Sequence, residues 1–546
     1  MKLGLIIGAI SISGASLALA CSSTNTITDI GEDAGASGTS GKVPGTSGGT
    51  SGGTSGASGS SGASGTSGSS GSSGTSGSSG SSGIVTPKNT KIGPGEIDAL
   101  VGVTTDAVPH AIYYVINGDD EDLVAAPVGG GAPIVLQAAL AVDDYAFVSG
   151  GAVAWYGGTT AGSRGAGLAT SVNVWTKATG KKTLTTATRS GLFAATTDGA
   201  TVALSTNATA TASDLSVTTA AAPAVGTPVL SGADAVNSAA AFAPAAGQAA
   251  PCAPRFRFAG TTLVGAYCTG EDPAAKDARL VTAAAGGTAV VRVDNAVAAS
   301  SIQPLFFADN TGTKLFVVGP SPTNEGRLVV ATGATTTVTA VDSGITAVDV
   351  AKDGSMAVFT TATALKKASF AAPPVVTPVV ASGVLGLLDI SQDSKKVLYS
   401  TQNGGGLTDA KIVDVTAAVP APVAILATPT GANFSFTGSG SHVIYLDDFG
   451  QTTGKLKSKP TAGGAEKILD PASEYGFASP AGTSVLTLTT QADGIVTLKF
   501  VDAVAGGALQ AGAADVRDNS WIWSGKTLVH VNDSAAAPGI YSLALP

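Results

Sequence analysis

Few side chains in this sequence of 546 residues are suited to chemistry, and their spacing narrows the options further. There are three histidines, His110, His442 and His530, and three cysteines, Cys21, Cys252 and Cys268. Cys252 and Cys268 stand sixteen positions apart, without the close Cys-x-x-Cys spacing of a redox pair. In an exported chain they are expected to form a disulfide whose loop contributes about 3 kcal/mol through chain entropy; two buried thiols are the alternative. Each histidine falls on or beside the second strand of a strand unit, and equivalent positions in such units can face one channel and share a metal. His442, however, precedes an apolar triplet whereas His530 ends one, so their registers differ. Isolated strand histidines are the better reading, and no metal site is assigned. Asn117–Asp122 is the densest acidic run and could offer oxygens to Ca²⁺, but it lacks EF-hand spacing and reads as a solvated hairpin loop. Asp447 and Asp448 read the same way. No Gly-x-Ser-x-Gly stands between strand and helix, and no His-Glu-x-x-His occurs. No catalytic residue and no cofactor is therefore assigned.

Composition limits the partners. Charged residues are 12% of the chain, hydrophobic ones 44% and aromatics 5%, and the formal net charge is −9. A chain with no excess of Lys and Arg has little to displace counterions with, which argues against a nucleic-acid partner.

The N-terminus reads as an address. A basic start at Lys2, an apolar run from Leu3 to Ile12 and small residues before Cys21 have the layout of a secretory signal peptide, residues 1–20. The run is too short for a permanent span, which needs about 20 apolar residues. Leu17–Cys21 (LALAC) resembles the lipobox of bacterial lipoproteins, with Ala18 where that family usually carries Leu. The resemblance implies lipidation of Cys21 and a membrane partner through the acyl chains, each buried CH₂ contributing about 0.8 kcal/mol. Ser22, rather than Asp, implies sorting to the outer membrane. Residues 21–83 continue as a Gly/Ser/Thr-rich segment that buries too little surface to offset its ordering entropy, and a disordered tether is expected. As a flexible coil, its roughly fifty low-complexity residues would hold the next domain about 35–45 Å from the membrane.

Residues 84–546 form the remaining domain, and they repeat. A turn residue, two small or polar residues and an apolar run recur as Gly199–Leu204, Gly260–Gly265, Gly312–Val317, Gly354–Phe359, Ser394–Tyr399, Gly440–Tyr445, Gly482–Thr487 and Gly525–His530. Weaker versions stand at Gly150 and near Val108. From 312 to 525 the steps are 42, 40, 46, 42 and 43 residues, the length of one four-stranded propeller blade. About ten units can be counted, above the usual four to eight, so one large ring, two smaller rings or some false early units all remain open. The last unit stops one strand short at Pro546. Ile84–Val85 or Lys91–Ile92 is expected to supply the missing strand and close the ring.

Thr196–Gly199 (TTDG), Ala351–Gly354 (AKDG), Ser391–Ser394 (SQDS) and Ser479–Gly482 (SPAG) resemble the Ser-Pro-Asp-Gly-Lys motif of the WD40-like repeats in TolB-type propellers. This resemblance implies an all-β fold, a propeller of four-stranded antiparallel blades, and no single activity. The expected protein is an outer-membrane lipoprotein of the cell envelope whose propeller is a non-catalytic binding or scaffolding module, with an envelope protein or extracellular molecule as partner. A lyase or hydrolase with its site at the channel mouth and a structural coat lipoprotein are the alternatives.

Overall fold

The computed structural model describes residues 88–545 except 119, 141–145, 159–167, 190–192, 210–212, 227, 231–254, 269–277, 285–286, 288, 294–305, 320–324, 352, 372, 403–407, 427–433, 448–452 and 492–494. Every regular element among them is a strand, and every strand pairing is antiparallel between chain neighbours, with one exception at the closure. Blade 1 shows the plan: Ile97–Val103 lies innermost, followed outward by His110–Asn117, Asp120–Pro127 and Ile134–Leu140. The second strand is the most apolar and is buried on both faces, as in His110–Tyr114 or Val397–Thr401, because blades cover it on either side. The outermost strands are half exposed. Three carry a proline, Pro94, Pro378 and Pro471, which blunts an edge that would otherwise offer a row of donors and acceptors.

Blades 2 to 8 occupy 146–189, 193–219, 255–293, 306–342, 345–380, 384–426 and 435–473. Blade 3 departs from the expected four strands. Only three are described, and its outer position is a single bridge between Leu215 and Leu230. Blades 9 and 10 share one strand of 15 residues, Gln510–Ser524. Its first part pairs with Ile495–Asp502 as the outer strand of blade 9, and Trp521–Ser524 pairs with Thr527–Asn532 as the inner strand of blade 10. Asp515 and Asn519 adopt left-handed backbone, φ 55° in each, and turn the strand between its two roles.

Ten apolar clusters fill the ten seams between blades. Nine join sequence neighbours, such as Phe316 and Phe359 between blades 5 and 6. The tenth joins Ile97, Ala111 and Tyr113 of blade 1 to Val529, Val531 and Ile540 of blade 10. The ten units are thus one ring. Lys88–Pro94 completes it, pairing with Gly539–Ala544 as the outer strand of blade 10 and inserting Ile92 into that last cluster. Of the two expected closing segments, the one containing Lys91 and Ile92 does the work. Ile84 and Val85 lie outside the described residues.

The repeated motif builds the turn between the first and second strands. The Thr196 hydroxyl accepts from the Thr201 N–H at 3.1 Å and donates to Asp198 at 2.6 Å, and Asp198 accepts the Ala200 N–H at 3.0 Å. That hydroxyl is the main reason the Asp198 carboxyl is held below its ordinary range. Ser391 and Asp393 repeat the arrangement in blade 7. Neighbouring turns also bond to each other: the Gly151 N–H reaches the Thr196 carbonyl at 3.0 Å, and the Ser439 N–H reaches Gly482 at 2.8 Å. Gly199 has φ 70°, and a Cβ there would lie 2.5 Å from the Gly151 carbonyl oxygen.

Gly199→Ala is therefore expected to destabilise the protein by about 2–4 kcal/mol in urea denaturation, combining backbone strain with a clash that only a shifted blade could relieve. Ile92→Ala is expected to cost about 2–4 kcal/mol in the same measurement, and an unchanged midpoint would show that the strand does not hold the ring closed.

Candidate functional site

The strand order gives the ring two unlike ends. Connections from first to second strand are five residues long in blades 3, 5, 6, 7, 8 and 9 and two in blades 2, 4 and 10, all built on the repeated turn. At the opposite end, the connections from second to third strand and from blade to blade run from one residue, Glu474, to 35, between Thr219 and Arg255. Twelve residues separate Val293 from Phe306, and ten separate Gly157 from Leu168. Length varies more at this end because most of these connections add to the surface, although Val229 and Leu230 of the longest one pack in the seam between blades 3 and 4.

Around the mouth at this variable end stand the first residues of the inner strands. Most are apolar or uncharged, including Leu385 and Thr346, both exposed. Between blades 9 and 10 three aromatic rings meet. Tyr475 stacks on Phe477 with centroids 6.2 Å apart, and Phe477 meets Trp521 edge-on at 6.1 Å. Tyr475 is 47% exposed, and Trp521 is half-buried. Glu474, beside Tyr475, accepts the Thr490 N–H at 3.1 Å, and Asp518 is exposed just before Trp521. Arg517 forms a bidentate pair with Asp533 at 2.7 and 2.8 Å and donates to the carbonyls of Ile97 and Asp98, joining blade 10 to blade 1. On the outer part of blade 9, where the register between Ile495–Asp502 and Gln510–Ser524 slips, an open cavity of about 300 Å³ is lined by Leu498, Lys499, Leu509 and small residues. It brings no set of polar groups together.

The densest ionic cluster lies within blade 8. Lys457 Nζ donates to Asp447 at 2.6 Å and to Glu466 at 2.8 Å, and the Tyr445 phenol donates to Glu466 at 2.7 Å. Burial works against the Lys457 charge, but the hydrogen bonds to both carboxylates outweigh it and raise its pKa. The hydrogen bond from Lys457, then that from Tyr445, lowers Glu466, while burial and Glu466 push the Tyr445 phenol up. Lys457 and Glu466 are held in their charged forms and Tyr445 in its neutral form, the reverse of what a general acid or base needs. The cluster fixes blade geometry.

The sequence-assigned candidates separate in space. His110 begins the second strand of blade 1 and meets Trp175 edge-on at 5.3 Å. His442 begins the second strand of blade 8, and its ring bonds to the Ser441 hydroxyl at 3.0 Å. His530 lies in blade 10, stacked on Tyr541 at 5.7 Å and bonded to Asn89 of the closing strand at 3.2 Å. They stand in three different blades, and among the described residues no group of three or more His, Cys, Asp or Glu is placed to share a metal. Asn117–Asp122 is a tight hairpin in which Asp122 accepts from the Asn117 amide and the Ala139 N–H. Cys268 ends the strand Thr262–Cys268, whereas Cys21 and Cys252 lie outside the described residues, and with them the lipid attachment and the disulfide. Asp448 lies outside as well. The aromatic corner was not visible in the sequence: Tyr475 and Phe477 share one strand, but Trp521 lies more than forty positions further on and joins them only through the seam.

No protein-family model matches the chain, and no curated protein sequence matches it. Its structural neighbours include TolB from Acinetobacter baumannii, at 16% identity and a TM-score of 0.25, covering 45% of this chain and 63% of that one. The alignment thus spans under two thirds of that protein. TolB from Agrobacterium tumefaciens aligns at 14% identity and a TM-score of 0.25, over 47% of this chain and 94% of its own. A structure titled as the eukaryotic initiation factor aligns at 12% identity and a TM-score of 0.39, over 69% and 91%.

Burial lowers the His530 pKa from 6.5 to about 4. The unfolded chain then binds a proton that the folded chain refuses, so the associated stability is complete above pH 6.5 and is lost as pH falls towards 4. The loss expected over that window is about 3 kcal/mol. His530→Phe, which keeps the stack on Tyr541, is expected to flatten that part of the pH–stability profile, as followed by urea midpoints from pH 7 to pH 4.

Proposed function

We propose that this chain is an exported, lipid-anchored propeller that serves as a non-catalytic binding or scaffolding module at the outer membrane of the cell envelope. One observation carries the reading: the first-to-second strand turns at one end of the ring share a single short design, while the longest connections emerge at the other. A frame of this kind lets recognition residues vary without disturbing seam packing. The lipobox-like Cys21 and the Gly/Ser-rich stretch would attach that frame to the membrane and let it reach beyond the headgroups. The pair Cys252 and Cys268, oxidised after export, would tie the longest connection to the second strand of blade 4 at the same variable end.

A lyase or hydrolase needs acid and base groups that titrate near the working pH. The Lys457 cluster offers no such pair, because its groups are bonded to one another within blade 8.

Two measurements test the proposal together. Cells grown with an alkyne fatty acid are expected to label the natural chain, which sediments with outer membranes, and not Cys21→Ala, which is released. Unlabelled natural protein in the culture fluid overturns the anchor. A photo-crosslinking residue placed at Ser343, exposed at the variable end, is expected to capture envelope partners, whereas one at Thr197, exposed at the repeated turn, is not. Equal capture from both positions overturns the assignment of the binding face.

A further inference from the structure

We infer that the aromatic corner between blades 9 and 10 holds the cationic side chain of an extended Lys- or Arg-bearing segment of a protein partner. The inference rests on the reading of the variable end as the binding face and names the chemistry it recognises. Aromatic residues are scarce in this chain, at 5%, and most of the large ones are buried. Tyr475 is the aromatic residue among the exposed large hydrophobics, at 47%, and it is no isolated surface ring, because Phe477 and Trp521 continue it inward along the seam. The three rings thus make a graded surface from solvent to core. A cation over such faces is attracted by the ring quadrupole, the more so when part of its hydration is removed.

Charge selects among the ligands that aromatic surfaces take. Glu474 precedes Tyr475, Asp518 precedes Trp521 by three positions, and Asp98 stands exposed at the start of the neighbouring inner strand in blade 1. Inner strands run in the same direction around the ring, so all three carboxylates lie at the same end. The nearby cation, Arg517, is already held by Asp533. A neutral sugar could stack on Tyr475 but would gain nothing from these carboxylates. A guanidinium or ammonium gains from both, and the net charge of −9 favours its approach. A side chain reaching into the corner must come from a segment crossing the mouth, and an extended chain presents alternate side chains downward.

The test is titration of the full chain with tetra-arginine, using tetra-glutamate and maltotetraose as controls, followed by tryptophan emission and by calorimetry. Trp155, Trp175 and Trp523 are buried, so a change in emission reports on Trp521. Tetra-arginine is expected to give a saturable change that disappears in Trp521→Phe, while the calorimetric signal persists there. Tyr475→Ala, and separately Glu474→Gln with Asp518→Asn, are each expected to weaken binding about tenfold. Both changes leave Phe477 and Trp521 in place against the seam cluster, and an unaltered melting temperature will confirm that the ring is intact. Equal affinity for tetra-arginine in all these variants overturns the inference, as does maltotetraose acting on Trp521 at lower concentrations than tetra-arginine. Either result, alongside capture from Ser343, leaves the binding face standing and removes only this ligand. Loss of capture from Ser343 with tetra-arginine binding intact does the opposite.

Discussion

Burial of apolar surface between adjacent blades is the interaction on which every other feature of this molecule depends. A four-stranded blade has two apolar faces and no interior, so it gains a core only by lying against a neighbour on each side. Ten seams satisfy ten blades only if the last meets the first. The chain closes the ring with Lys88–Pro94, whose Lys91 bonds to the Pro538 carbonyl across 447 positions. Closure at that separation is entropically expensive, and the intervening blades offset it by bringing the ends together. The closing sheet is also where an imidazole, His530, is most deeply buried, which couples ring integrity to pH.

Polar groups are spent on the same seams. Arg292 of blade 4 donates to the carbonyls of Gly333 and Thr335 in blade 5, Lys367 of blade 6 to Val415 in blade 7, and Lys467 of blade 8 to Val504 in blade 9. Asp389 accepts the Phe436 N–H from the next blade, and Asp470 accepts the Thr487 hydroxyl. These bonds act where apolar packing is non-directional. They fix how far one blade slides along the next, since a buried donor or acceptor left unmatched costs about 1–3 kcal/mol. Charged residues make up only 12% of the chain, so few remain for ligands. Those that do include Asp98 and Asp518, exposed at the mouth.

The contrast between the two ends follows from this economy. At one end Thr196, Asp198 and their counterparts are committed to turn geometry and to bonds between turns, which keeps the connections short and alike. At the other, connections up to 35 residues long are free of that constraint. A surface that varies over a frame that does not is suited to recognition.

What the sequence determined by itself was local and periodic. The steps of about forty residues, the turn glycines and the alternating apolar runs stated the blade, its four strands and even the missing strand at the end, because turn chemistry and strand alternation are written in adjacent positions. Ser394 was legible as one of the turn positions although it is not glycine, and it does adopt φ 61°. Tertiary structure alone decided the number of blades in the ring, because a seam joins residues some forty positions apart and closure joins the two ends. It alone decided that His110, His442 and His530 have separate partners in blades far apart in sequence, that Lys457 is captured by Asp447 and Glu466, and that Trp521 joins Tyr475 and Phe477 in one surface. Such groupings depend on which faces of which blades meet, and periodicity along a chain carries no record of that.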